Sequence, residues 1–133
     1  SFFLRLNMSN TVVRSDNAPK AIGPYSSAMQ VGANMLFVSG QIPVNPQTGD
    51  MPSDIKEQAK QSLTNLKALV EAGGFTMADV VKTTVFITDI NDFAAVNEVY
   101  ATFFAEPFPT RSCVAVKELP KAAKVEIECI CVK

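Results

Sequence analysis

Lys124-Val125-Glu126-Ile127-Glu128-Cys129-Ile130-Cys131-Val132 is a strand with apolar groups on both of its faces. Side chains of a strand point to opposite sides in turn. One face therefore carries Val125, Ile127, Cys129 and Cys131. The other carries Glu126 and Glu128, then Ile130 and Val132. Such a strand belongs inside a sheet whose two faces are both covered. The elements upstream supply a cover for one face only.

Thr11–Ser15 is a short strand, and Asn17–Pro24 a loop with two prolines and a glycine. Ser27–Val31 and Met35–Ser39 form a hairpin about Gly32-Ala33-Asn34. Pro43–Gly49 is rich in turn residues. Ile55, Ala59, Leu63, Leu66 and Val70 recur at helical spacing, behind Ser53 or Asp54 as the cap. Gly73-Gly74 ends that helix. Val80–Thr88 is β-branched and continuous, which predicts a buried strand. Asp89 or Asn91 starts a second helix with an apolar face of Phe93, Val96, Tyr100, Phe103 and Phe104, ended by Pro107 and Pro109. Ser112–Val116 and Lys124–Val132 are the last strands. The order is β-β-β-α-β-α-β-β, an α+β arrangement. Right-handed crossovers place both helices on one face of the sheet. The bare apolar face then calls for further copies of the chain.

Size and composition bound the function. The chain has 133 residues, which suits one domain. Twelve basic and thirteen acidic residues give a net charge of −1, so there is no broad electrostatic footprint for nucleic acid or an anionic membrane. No apolar run reaches the length of a membrane-spanning helix. Cys113, Cys129 and Cys131 read as buried reduced thiols, which fits the cytoplasm or an organelle matrix. They do not make a zinc set. Ser1–Asn7 precede Met8 and read as an upstream leader or appended remnant, too short for a signal-peptide core. Residues 8–133 then form the single domain.

The chain contains no histidine, so the commonest acid–base residue is missing. Chemistry must run on carboxylate, guanidinium, thiol, hydroxyl or backbone. Pro109-Thr110-Arg111-Ser112-Cys113-Val114 places a fixed positive charge at the start of one strand. Val125-Glu126-Ile127 places a carboxylate near the start of the next. If both meet one cleft, they supply an anion clamp and a general base. By spacing alone, Arg111 also suits a surface or intersubunit salt bridge. Glu126 also suits an exposed strand position, and Glu128 shares its face. Tyr25 also reads as a loop aromatic capping the core, Gly40 as a bulge, and Asn97 as a structural helix residue. Cys113 reads as a small buried hydrophobe, with no histidine to activate it as a nucleophile.

Ala21-Ile22-Gly23-Pro24-Tyr25-Ser26, Val38-Ser39-Gly40-Gln41-Ile42-Pro43, Val81-Lys82-Thr83-Thr84-Val85 and the two motifs above occur here in one order. In combination they resemble the Rid family, the reactive-intermediate deaminases also called the YjgF or endoribonuclease L-PSP family, and most of all its RidA subgroup. The resemblance implies a chorismate-mutase-like (YjgF-like) α+β fold. It also implies a homotrimer packed as a barrel around the bare sheet faces, with clefts between subunits. It further implies hydrolysis of 2-imino acids, 2-iminobutanoate and 2-iminopropanoate, to 2-keto acids and ammonia, without metal or organic cofactor. Carried over residue by residue, Arg111 binds the substrate carboxylate and Glu126 positions the attacking water. Tyr25 lies at the cleft mouth, and Gly40 and Cys113 turn backbone groups to the ligand. Ser39 and Asn97 lie beside them. Two other functions stand beside this one. A ribonuclease or translation inhibitor predicts a basic groove, which the charge balance and lack of histidine oppose. A non-catalytic carboxylate-binding or holdase module needs Arg111 but not Glu126.

Overall fold

The computed structural model describes residues 10–133, so the leader segment 1–7 lies outside the described residues. Six strands form one mixed sheet: β1 (Thr11–Val13), β2 (Ala28–Val31), β3 (Met35–Gln41), β4 (Val80–Ile87), β5 (Thr110–Ala115) and β6 (Val125–Val132). Their order across the sheet is β1-β2-β3-β6-β4-β5. The last strand of the sequence thus lies in the middle, antiparallel to both β3 and β4. β4 and β5 are parallel, joined through a helix as expected.

Helix α1 (Ile55–Ala72) links β3 to β4, and α2 (Phe93–Tyr100) links β4 to β5. Asp54, rather than Ser53, caps α1 by accepting from the Glu57 N–H at 3.1 Å. At its other end Gly74 takes a φ of +82°. The Gly74 and Phe75 N–H groups donate back to the Glu71 and Val70 carbonyls, a Schellman pair that satisfies the last turn. The expected stripe is buried from Ala59 through Leu63, Leu66 and Val70, with Leu69 beside it. It packs on β3 and β6 and against α2.

Several boundaries differ from expectation. β1 stops at Val13 because the chain turns where Ser15 Oγ accepts from the Asn17 N–H. Asp89 caps a short 3-10 turn, Ile90–Asp92, ahead of α2 rather than α2 itself. α2 ends at Tyr100, before either proline; Phe103 lies in the turn beyond it and Phe104 just after that turn. Phe104 still packs on Tyr100, with ring centroids 4.6 Å apart. β5 begins at Thr110 rather than Ser112, since Thr110 pairs with Lys82 and its hydroxyl donates to the Val81 carbonyl. β4 is buried along one face only: Val80, Thr83, Val85 and Ile87 are inside, while Val81 is exposed. β-branched content marked the strand but not its sidedness.

In β6, Val125, Ile127, Cys129 and Cys131 are buried beneath the helices. The opposite face is uncovered in a single protomer. Register places Met29, Phe37 and Ile130 in a row across it, and Val114, Phe86 and Glu126 in another. Phe37 and Val114 are exposed large hydrophobics. Among the described residues, no helix is long and apolar enough to cross a membrane.

Candidate active site

The expected site residues fall into two groups on opposite faces of the sheet. Register decides this. Arg111 pairs with Thr83, and Thr83 with Cys129, all on the helix-covered face. Glu126 pairs with Phe86, and Phe86 with Val114, on the bare face. β5 and β6 are also separated by β4, so their axes lie two strand spacings apart, roughly 10 Å. One protomer therefore does not bring Arg111 and Glu126 into one cleft.

The first group surrounds Arg111, which lies on the edge strand and is exposed. Its Nη1 donates to Asn97 Oδ1 on α2 at 2.6 Å. Its Cζ sits 4.8 Å from the Tyr100 ring centroid and 5.6 Å from that of Phe93. Cys113 follows on the same face of β5 and is partly buried. Burial pushes its thiol pKa up, and the nearby Arg111 charge offsets this only in part. A thiol held protonated is a poor nucleophile, which agrees with a packing role for its side chain. Cys129 and Cys131 are buried in the core, as expected.

The second group lines an open cavity of about 360 Å³ that includes Tyr25, Ser39, Gly40, Phe86, Glu126 and Glu128. Glu126 is half-buried and Glu128 exposed. Burial, and secondarily the Glu128 charge, raise the Glu126 pKa above the usual carboxylate range. That moves it toward the pH at which a general base works best. The structure thereby distinguishes two glutamates that alternation alone could not.

Gly40 is part of an irregularity in the β3–β6 pairing between Val38 and Gln41. A Cβ built there would lie 2.7 Å from Glu126 Cδ and 2.9 Å from Cγ and Oε2. The missing side chain is the space in which the carboxylate sits. The bulge read for this glycine coincides with that irregularity, and the nearest neighbour of its missing side chain is Glu126. Ser39 uses its hydroxyl to donate to the Ser26 carbonyl at 2.6 Å. That bond ties β3 to the loop carrying Tyr25. The Tyr25 ring is exposed, and its hydroxyl accepts from the Ile22 N–H at 3.3 Å.

Sequence reasoning missed the supports of both groups. Gln58, Ser62 and Asn65 form a buried polar row on α1, spaced i, i+4, i+7 beside the apolar stripe. Ser62 Oγ donates to the Gln41 carbonyl, and Asn65 Nδ2 donates to the Ile42 and Val44 carbonyls. Gln58 Oε1 accepts from the Lys124 N–H at 2.9 Å. The row fastens the end of β3 after Gly40 and the start of β6 before Glu126. Polar residues repeating at helical spacing next to an apolar stripe were the available signal. Thr83 and Tyr100, which share a buried 2.7 Å hydrogen bond, gave none.

The chain belongs to the Endoribonuclease L-PSP family, whose sequence profile matches residues 15–133. Among its relatives, the 2-iminobutanoate/2-iminopropanoate deaminase of Escherichia coli is 56% identical over 129 residues, 95% of this chain and 99% of that protein. A RutC family protein of Pasteurella multocida is 59% identical over 126 residues, 92% of this chain and 97% of that one. The crystal structure of E. coli TdcF with bound serine superimposes with a TM-score of 0.89 at 52% identity, covering 92% of this chain and 98% of that one. The E. coli YjgF gene product gives 0.88 at 54% identity, covering 92% and 99%.

Proposed function

We propose that this protein hydrolyses 2-imino acids such as 2-iminobutanoate and 2-iminopropanoate to 2-keto acids and ammonia, and so removes reactive enamine and imine intermediates. The working site is composite. The Arg111 group of one protomer faces the Glu126 group of a second copy across a cleft, in a homotrimer packed on its bare sheet faces. The observation that carries this reading is the split itself. Among the described residues, an arginine with no carboxylate partner and a half-buried carboxylate lie on opposite faces of one sheet, and a second copy placed across a cleft would bring one of each together. The exposed apolar side chains on the bare face, Phe37 and Val114 among them, supply the reason for association. The imine-deaminase relatives, and the amino acid held by TdcF, agree with a site for small carboxylates.

In this reading Arg111 holds the substrate carboxylate bidentately, which fixes both its position and its plane. Glu126 holds a water against the C=N carbon. A bond forms between water oxygen and that carbon, the water proton passes to Glu126, and the imine nitrogen takes up a proton. The resulting carbinolamine then loses ammonia. Its nitrogen takes the proton held on Glu126, and the hydroxyl proton passes to the Glu126 carboxylate and on to solvent, in place of the one the imine nitrogen took up. The C–N bond breaks with its electron pair on nitrogen as the C=O bond forms, so that neutral ammonia leaves. The imine is already electrophilic, so holding the reactants together supplies much of the acceleration.

The test couples purified protein to threonine dehydratase and follows loss of the imine. Faster loss with catalytic amounts of protein is expected. An unchanged rate with correctly assembled protein would reject the deaminase reading.

A further inference from the structure

Arg111 carries its charge without a carboxylate partner. Among the described residues the ion pair is Lys56–Glu98, and no carboxylate oxygen lies within 4.0 Å of Arg111. A long, exposed arginine on an edge strand would ordinarily sample many rotamers, at an entropic cost to any ligand that needs one of them. This arginine is instead placed by neutral groups. Asn97 Oδ1 takes one N–H of the guanidinium at 2.6 Å. The Tyr100 ring lies 4.8 Å from Cζ and consumes no donor. The remaining N–H groups and the full charge stay available to an anion.

Tyr100 is suited to this because it cannot move freely. It is 6% exposed, its ring packs on Phe104, and its hydroxyl is bonded to Thr83. Thr83 is fully buried in β4 and is the register partner of Arg111. The ring is therefore fixed to the strand beside the one that carries the arginine. Phe93, at 5.6 Å and on the exposed side, is a looser neighbour.

We propose that Tyr100, anchored by Thr83, is a positioning residue that orients the Arg111 guanidinium for the carboxylate of the substrate. The inference rests on the carboxylate-binding role given to Arg111 above. The test measures binding of 2-ketobutanoate and steady-state turnover of 2-iminobutanoate in the assembled wild-type protein, Tyr100→Leu and Tyr100→Phe. Loss of a cation–π contact at an exposed arginine predicts a Kd for 2-ketobutanoate and a KM weakened by roughly two- to fivefold in Tyr100→Leu, with a smaller fall in kcat. Tyr100→Phe keeps the ring but loses its anchor to Thr83, and should fall between the wild type and Tyr100→Leu. Arginine side-chain NMR adds a readout that does not depend on any variant. The Arg111 Nε–H signal of the wild type should be shifted upfield by the ring and lie in slow guanidinium rotation. Unchanged Kd and KM in a folded Tyr100→Leu, or a freely rotating, unshifted Arg111 in the wild type, would overturn the proposal. If the wild type binds 2-ketobutanoate through Arg111 but does not hydrolyse the imine, the deaminase reading fails, and the Kd comparison still decides the role of Tyr100.

Discussion

Gly40→Ala isolates the contact between the β3 bulge and the carboxylate. The added Cβ would lie 2.7 Å from Glu126 Cδ, where ordinary van der Waals contact begins at 3.4 Å. Glu126 must therefore withdraw by about 0.7 Å, or change rotamer, since Cγ and Oε2 are also crowded at 2.9 Å. The backbone at Gly40 is not left-handed, so alanine meets no conformational penalty there. The unfolded chain loses entropy, which contributes about 0.4–1 kcal/mol in favour of folding. Stability should then change little while the carboxylate is displaced. A misplacement of about 1 Å at a reacting group costs on the order of a hundredfold, or about 2.7 kcal/mol in the barrier. The assay is kcat/KM for 2-iminobutanoate, with thermal melting and assembly state as controls. Product affinity should fall less than turnover, because in the composite cleft the product carboxylate is held by Arg111 of the neighbouring protomer rather than by Glu126. Full turnover by a folded Gly40→Ala would show that the position of Glu126 does not matter and would refute the reasoning.

Further outcomes follow from the same geometry. Arg111→Ala should lose roughly ten- to a hundredfold in kcat/KM, and Arg111→Lys should recover little, because a point charge cannot hold the carboxylate plane; a lysine variant with wild-type turnover contradicts this. Glu126→Gln should slow the chemical step by about a hundred- to ten-thousandfold and abolish the acid limb of the rate profile, which in the wild type falls as pH drops through the raised Glu126 pKa. A raised folded-state pKa also means that stability is lost as pH climbs from the ordinary carboxylate value to the raised one; Glu126→Gln should therefore gain thermal stability over the wild type through that window, and a melting difference that does not vary with pH counts against it. Cys113→Ala should keep turnover within about tenfold, allowing for about 1 kcal/mol of repacking; a collapse in rate with structure intact would revive thiol catalysis. Sedimentation equilibrium should give three times the 14.4 kDa chain mass, and a stable monomer at micromolar concentration would remove the composite cleft.

The kind and order of the elements are legible along the chain, because their periodicities are local. The stripe from Ala59 to Val70 could only bury as a helix, and the Gly73-Gly74 stop was written in the chain. Alternation in β6 was enough to show that both of its faces hold apolar groups, and hence that helices on one side leave work for a partner. The lack of histidine limited the chemistry, and the ordered motifs drew attention to Arg111 and Glu126 as candidates. Their relation was decided only by the tertiary structure. Strand period assigns residues to alternate faces, but which face meets the helices depends on register between strands far apart in sequence. The irregularity between Val38 and Gln41 adds a shift that alternation does not announce. Register set Arg111 under α2 and Glu126 on the opposite side. It also brought Gly40 against Glu126, and Thr83 and Tyr100 behind the arginine. No local pattern encodes these meetings, because each joins residues through packing rather than through their spacing along the chain.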